Sequence, residues 1–230
     1  MKPFRFQQFE IKQSKSVFRV GTDGVLLGAM CNVQANKVLE VGTGTGLIAL
    51  MIAQRNASAD ILAIDINAEA VRLSSENFEN SPFSSRIKAI NTDFKAFSSS
   101  EKYDLVVSNP PYFDENTSEK DVLARQRVEL DFCDLIRKTS EILAENGCFS
   151  VIIPADFGTD FIELCKENQL YLMRKINIKG IAQGKVKRLI LEFSFQNSSY
   201  SEKDFVVEKS PRHYSDEYLE LTKDFHIFRK

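Results

Sequence analysis

The chain has 230 residues, of which 43% are hydrophobic and 27% charged, and its formal net charge is -2. Such a composition fits one globular unit with a sizeable core and argues against disorder. No apolar run is long enough to cross a bilayer, and the net charge gives no global sign of nucleic-acid binding, although a local basic patch is compatible with it.

In chain order, the N-terminal stretch MKPFRFQQFE is polar and lacks an apolar signal core, so the protein is expected to stay in the cytoplasm. Residues 37–41 (KVLEV) are short, apolar and followed by glycines, which predicts a buried strand. LIALMIA at 47–53 is a helix-sized run, and DILAID at 60–65 is a second strand. Asn67 is placed to cap a helix over 68–78. Residues 86–91 and 103–108 (YDLVVS) read as the third and fourth strands. An amphipathic helix over 132–143, closed by Asn146-Gly147, precedes a fifth strand, CFSVII at 148–153, which Pro154 ends. Residues 157–166 read as helical. Beyond Gln169 the rhythm changes. Stretches 171–178 and 187–195 are strand-like and joined through Gly180 to Gly184, the pattern of a hairpin with a long tip. A last helix is predicted over 214–225, with Ser215 as its cap, and 98–100 and 197–201 read as polar loops.

Strand–helix alternation with continuous apolar strands predicts an α/β fold, a doubly wound and mostly parallel sheet ending in an antiparallel hairpin. One domain over 1–230 is expected, with an N-terminal extension (1–36), a cofactor-binding core (37–168) and a C-terminal hairpin and helix (169–230). Cys31, Cys133, Cys148 and Cys165 are scattered without a CxxC pair, as befits buried free thiols in a reducing compartment. With only His213 and His226 besides, no metal site is expected.

Three segments carry chemistry. The first is Glu40-Val41-Gly42-Thr43-Gly44-Thr45-Gly46, at the carboxyl end of the first long strand, where such sheets bind ligands. Asp65, with Ile66 beside it, ends the next strand and is placed to accept from two ribose hydroxyls. Taken alone, the loop suits a methyltransferase, a dinucleotide dehydrogenase or a plain structural turn. Two details separate these. The third glycine comes one residue earlier than in the dinucleotide fingerprint. Glu40 would repel a pyrophosphate and suits a cation. S-adenosyl-L-methionine carries a sulfonium and an ammonium and no phosphate, and its amino-acid end is expected over this loop. The second segment is Thr92-Asp93-Phe94 at the end of the third strand. Asp93 is placed to accept from an adenine amino group and Phe94 to pack on the ring.

The third segment is Asn109-Pro110-Pro111-Tyr112, directly after the fourth strand. Two prolines lack N–H groups and hold the chain extended, leaving carbonyls as acceptors. The Asn109 side-chain carbonyl and the Pro110 carbonyl can together take both hydrogens of an –NH2 group. An exocyclic purine amine is a poor nucleophile, and such a grip favours a more tetrahedral nitrogen with its lone pair aimed at a donor methyl. Tyr112 is placed to stack on the ring bearing the amine, and a stacked base would have to swing out to reach it.

These residues resemble the class I methyltransferases, in the amino-methyltransferase branch that carries Asn-Pro-Pro-Tyr. A more specific resemblance lies in Arg19-Val20-Gly21-Thr22-Asp23-Gly24-Val25-Leu26-Leu27-Gly28-Ala29, which is similar to the N-terminal signature of bacterial tRNA1(Val) adenine-N6 methyltransferases. It extends through LIALMIAQR (47–55), Asn109 to Tyr112 and the C-terminal stretch from Tyr214 to Phe225. The resemblance implies a Rossmann-like sheet of seven strands, methyl transfer from S-adenosyl-L-methionine, and adenine 37 beside the anticodon as target. It also implies that Thr22 and Asp23 lie near the methionine end of the cofactor; either one capping a short helix over 25–30 is the structural alternative.

For RNA, residues 171–190 hold Arg174, Lys175, Lys179, Lys185, Lys187 and Arg188 and no acid. Phosphate contacts from Lys185, Lys187 and Arg188 on the hairpin, and from Arg125 and Arg127 after Tyr112, would give salt-sensitive affinity. No membrane and no obligatory protein partner is expected. The nearest rival is another amino target: an rRNA base, DNA adenine or a protein glutamine. About forty residues precede the glycine loop, too few for the extra helical domain usual in glutamine methyltransferases. A nicotinamide dehydrogenase would leave Asn109 to Tyr112 idle. For a non-catalytic RNA-binding module, loss of Glu40, Asp65 and Asp93 would be expected, and all three are present.

Overall fold

The computed structural model describes residues 1–17, 19–110 and 132–227. A small antiparallel pair, β1 (Phe4–Arg5) and β2 (Glu10–Ile11), comes first, then α1 (Thr22–Met30). β3 (Lys37–Val41), α2 (Leu47–Arg55), β4 (Asp60–Asp65), α3 (Ala68–Glu79), β5 (Ile87–Asn91) and β6 (Tyr103–Ser108) follow. A helix over residues 132–142, α4, runs straight into β7 (Leu143–Pro154). Then come α5 (Gly158–Glu167), β8 (Tyr171–Lys179), β9 (Val186–Ser194), β10 (Ser201–Val206), the two-stranded ribbon β11 (Glu208–Ser210) and β12 (His213–Tyr214), and α6 (Asp216–Thr222).

Eight strands form the main sheet, in the order β10-β8-β9-β7-β6-β3-β4-β5. The run β7-β6-β3-β4-β5 is parallel, and β9 is antiparallel to both β7 and β8. The expected doubly wound sheet with a terminal hairpin is therefore present, with one strand more than the seven expected. The extra strand, β10, pairs parallel to β8 at the edge. Its sequence, SEKDFV, buries only Phe205. An edge strand has one solvated flank and reads as polar.

Side-chain alternation along the strands builds a core on each face. Val38, Ile61, Ala63, Leu105, Val107 and Ile152 join one core with residues of α1 and α2. Leu39, Ile64, Val106, Val151 and Ile153 join the other with residues of α4 and α5.

Two expected boundaries shift. Asn146-Gly147 does not close α4; it lies inside β7, in a bulge between the Leu143–Tyr103 and Cys148–Leu105 pairings. α1 begins at Thr22 with Gly21 as its cap residue and no side-chain capping bond, so neither Thr22 nor Asp23 caps it. The expected caps at Asn67 and Ser215 are present: Asn67 accepts from Glu69 and Ala70 N–H, and Ser215 accepts from Tyr218 N–H. Of the four thiols, Cys31, Cys148 and Cys165 are buried but Cys133 is exposed.

α1 is held on two sides. Cβ atoms added at Gly24 and Gly28 would lie 3.0 Å from Leu47 Cδ2 and 2.8 Å from Met51 Sδ, so this glycine pair lets α1 approach α2 closely. From the sheet, β9 reaches both its ends. Arg188 Nε donates to Asp23 Oδ2 at 2.9 Å at the first turn. Beyond the last turn, the Asn32 N–H donates to the buried Glu192 carboxylate at 2.7 Å. Arg174 pairs with Glu192 and donates to the Met30 carbonyl as well.

Candidate active site

The carboxyl ends of the parallel strands bring the sequence segments into one row. In register, Val41 lies between Ile64 of β4 and Ser108 of β6, and Asp65 pairs with Asn91 of β5. Gly42, Asp65, Asn91 and Asn109 therefore lie side by side, with Thr92 next after Asn91. Ser108 Oγ donates to the Val41 carbonyl at 2.9 Å, which fixes the strand just before Asn109 to the strand just before Gly42.

Gly42, Gly44 and Gly46 all have positive φ, at 75°, 54° and 83°, a region where side chains are strained. Their surroundings differ. A Cβ at Gly42 or Gly44 would meet nothing within 4 Å, whereas one at Gly46 would run into the Phe78 ring. The first two glycines leave open a cradle that methyl groups would begin to fill. The third is a packing glycine that seats α2 against α3.

Asp65 braces the cradle: its Oδ2 accepts from Gly44 N–H at 2.9 Å and its Oδ1 from Asn67 N–H at 2.8 Å. Each carboxylate oxygen has a second lone-pair site for a ligand hydroxyl. Ile66 next to it is 71% exposed, a large apolar side chain at the rim. Asn91 Nδ2 ties down both the Asp65 and Ile66 carbonyls. Asp93 is half-buried and accepts from Lys95 N–H at 2.9 Å, and the Phe94 ring stacks with Phe97.

Glu40 lies beneath the loop, buried. Thr43 Oγ1 donates to its Oε2 at 2.6 Å, and Oε1 has no partner among the described residues. Burial pushes this carboxyl up to about 8, against the lowering by hydrogen bonds from Thr43 and the Ala49 backbone. Asn109 shows the same feature: its side-chain carbonyl Oδ1 is buried and accepts nothing among the described residues. Leaving a buried acceptor unsatisfied costs about 1–3 kcal/mol, and two such atoms belong to residues at the carboxyl ends of the neighbouring strands β3 and β6. Pro110 is buried beside Asn109. Pro111, Tyr112, Arg125 and Arg127 lie outside the described residues.

The structure adds a residue that the sequence reading missed. Asn77 of α3 is buried; its Nδ2 donates to the Thr45 carbonyl at 2.9 Å and its Oδ1 accepts from Lys12 N–H at 2.9 Å. It pins the glycine loop to the N-terminal segment. A polar residue on the buried stripe of an amphipathic helix is the signal that would have found it.

The basic stripe is largely compensated. Arg174 pairs with Glu192, Lys175 with Glu202, Lys179 with Asp204 and Arg188 with Asp23. Lys185 and Lys187 are exposed and have no ion pair among the described residues. No helix among the described residues is long and apolar enough to cross a membrane, and no cluster of His, Cys, Asp and Glu there could hold a metal ion.

Comparison with known proteins adds the following. Residues 12–168 match the Methyltransferase small domain family. A protein of Flavobacteriaceae bacterium strain 3519-10, named tRNA1(Val) (adenine(37)-N6)-methyltransferase, is 56% identical, the alignment covering 99% of this chain and 100% of that one. A protein of Flavobacterium psychrophilum bearing the same name is 41% identical, with 97% and 99% covered. Among solved structures, a predicted O-methyltransferase of Agrobacterium tumefaciens superposes with a TM-score of 0.71 at 17% identity, covering 88% of this chain and 96% of that one. A methyltransferase of Pyrococcus furiosus gives 0.60 at 17% identity, with 81% and 89% covered. At such identities these two bear on the fold alone.

Proposed function

The chain belongs to the tRNA1(Val) (adenine(37)-N6)-methyltransferase family, and from that premise we propose that Asn109 grips the amine of adenine 37 beside a cofactor held over Gly42 and Gly44. The observation that carries the proposal is the buried Oδ1 of Asn109, which accepts nothing among the described residues, at the end of the strand next to an open glycine cradle.

The enzyme transfers a methyl group from S-adenosyl-L-methionine to N6 of an adenine in tRNA. The residues present suit this cofactor: a glycine loop that itself carries no basic side chain for a phosphate, a buried acid at its start, and Asp65 and Asp93 along the same edge. In this proposal Asp65 accepts from the ribose hydroxyls, Ile66 and Phe94 flank the adenine ring and Asp93 accepts from its amino group. Thr22, Asp23, Glu40, Gly42 and Gly44 face the amino-acid end, while Gly46, expected there too, packs against Phe78. When bound, the cofactor supplies a methyl group on a sulfonium leaving group.

The chain's own contribution is orientation and electrostatics. Oδ1 of Asn109 and the carbonyl of Pro110 accept the two N–H bonds of the target amine. Lone-pair density then points away from the purine plane. No strong base is needed first, because the alkylated nitrogen releases its proton more readily than the free amine. Pro111 keeps the segment extended and Tyr112 stacks on the flipped base. Lys185 and Lys187, with Arg125 and Arg127, are assigned to RNA phosphates, the exposed lysines being those without an ion pair among the described residues.

The direct test uses labelled S-adenosyl-L-methionine with valine tRNA transcripts carrying adenine or guanine at nucleotide 37. Label in N6-methyladenine from the adenine transcript alone is the expected result. Label in both transcripts would move the target elsewhere in tRNA. Label in neither would redirect the search to rRNA, DNA adenine or protein glutamine.

Glu40 makes the proposal pH-sensitive. With its folded pKa raised to about 8, the free protein holds this proton at neutral pH. The unfolded chain releases it near the ordinary carboxyl value, so Glu40 stabilises the fold less and less as pH rises from the unfolded value through about 8. A cationic ammonium above the loop favours the carboxylate. Cofactor binding is therefore expected to release up to about one proton at pH 7 and to tighten as pH rises towards 8. Calorimetry in buffers of differing ionisation enthalpy checks this. Glu40→Gln should abolish the release, and a wild-type enthalpy independent of buffer would refute the assignment.

A further inference from the structure

A file of stacked rings runs out of the core and ends at the surface. Phe9 stacks on Phe6, Phe6 on His226, His226 on Tyr218 and Tyr218 on Tyr214, the last pair with centroids 4.4 Å apart and planes at 21°. Phe9, Phe6 and Tyr218 are buried, whereas Tyr214 is 42% exposed and has no second ring contact among the described residues. Its exposure therefore belongs to the face and edge turned away from Tyr218. The ring stands at the same edge of the sheet as Asn109. Tyr214 lies opposite Glu208 in the β11–β12 ribbon, and the Glu208 and Val207 N–H groups donate to the Gly180 and Lys179 carbonyls, where β8 gives way to the connection towards β9. That connection projects from the carboxyl edge: Ile178 pairs with Arg188, and Arg188 with Pro154, the last residue of β7.

We infer that the outer face of Tyr214 is a stacking platform for an unpaired base of the tRNA other than the target adenine, with Arg212, Lys185 and Lys187 on the adjoining phosphates. Every base has a π-face, so an open tyrosine ring bordered by cations suits single-stranded nucleic acid. Lys185, Lys187 and Arg212 are exposed and have no ion pair among the described residues. The neighbouring acids of α6 are engaged, Asp216 with Lys209 and Glu217 with the Val206 N–H. Arg212 sits at the tip of the ribbon with φ of 66°, a conformation that side chains rarely adopt and that is held at places of use. The file of rings behind Tyr214 fixes its plane, so little freedom is lost when a base arrives. β10, which runs into the ribbon, and β6, which runs into Asn109, are four strand spacings apart, about 19 Å at 4.8 Å each. That exceeds five base steps of about 3.4 Å, so the base on Tyr214 is not a direct neighbour of the one at Asn109. The inference rests on the tRNA reading above and adds a second point of attachment to it.

The chain has no tryptophan, so Tyr214→Trp places a single indole at the platform. Titration of this variant with the valine tRNA transcript should quench its emission saturably, as a base stacks on it. In steady-state assays Tyr214→Ala should raise KM for tRNA about tenfold and leave kcat and cofactor affinity within about twofold, whereas Tyr214→Phe keeps the ring and should stay within about twofold of wild type throughout. Arg212→Ala should lower the salt slope of tRNA binding by about one, and Tyr214→Ala should leave that slope unchanged. Unaltered tryptophan emission while the same tRNA is methylated would overturn the inference. So would equal losses in the Phe and Ala variants, or a fall in cofactor affinity and melting temperature without a change in KM, since either marks Tyr214 as a prop for α6. Wild-type protein that neither binds nor methylates any tRNA transcript would overturn the tRNA reading, and this inference with it.

Discussion

Asn109→Ala should lower methyl transfer by at least about a thousandfold while leaving cofactor affinity within about twofold, the pattern expected when a preorganised positioning group is lost. The size follows from geometry. Ser108 is fastened to Val41, so the side chain that follows is delivered to a set place. Its Oδ1 is already stripped of water and accepts nothing among the described residues, so little reorganisation remains when an amine arrives. Stability should move in the opposite sense. Removing an unsatisfied buried acceptor relieves about 1 kcal/mol or more, so the variant is expected to melt no lower than wild type. A dead enzyme that is as stable as its parent marks a residue retained for chemistry. Turnover near the wild-type rate would refute the amine grip, and a large fall in stability would mean that Asn109 is structural.

The glycine loop offers the second large effect, as a contrast between neighbours. Gly46→Ala places a methyl group into the Phe78 ring at φ 83°. Left-handed strain and overpacking together should cost about 2–5 kcal/mol of stability. Gly44→Ala has open space around it and φ 54°, a value that a side chain tolerates for about 1 kcal/mol. Its methyl group instead enters the cradle. It should cost little in denaturant midpoint and about tenfold or more in cofactor affinity. Chemical denaturation and calorimetry on both variants check the pair. Equal loss of stability in the two would mean that all three glycines serve only the turn.

The row of strand ends was legible because each end has a local signature. Apolar runs end in glycines at Val41, in Asp65, and in Asn109-Pro110. The parallel register then follows from helical crossovers, so neighbouring strand ends had to converge. What escaped reading depends on partners distant in sequence. β10 carries one buried residue in six and looks like loop until it lies against β8. The basic stripe appeared uncompensated because its acids, Glu192, Glu202, Asp204 and Asp23, fall outside the window and come to it through strand pairing and helix packing. Asn77 was missed for the same reason. Its bonds run to Lys12 and Thr45, 65 and 32 residues away.

The double fastening of α1 to β9 has a consequence for length. Asp23 and Met30 are seven helical steps apart, about 10.5 Å at 1.5 Å per residue, and the non-helical Cys31 carries the chain on to Asn32. Arg188 and Glu192 are four strand steps apart, about 13.6 Å at 3.4 Å per residue. Helix and strand thus act as two scales of one vernier, engaged only when both counts are right. Removing a single residue from α1 would turn one end by about 100° and disengage either Asp23 or Asn32. Apart from Gly24 and Gly28, which α2 packs against, a lineage is therefore free to vary the side chains between these marks more readily than their number.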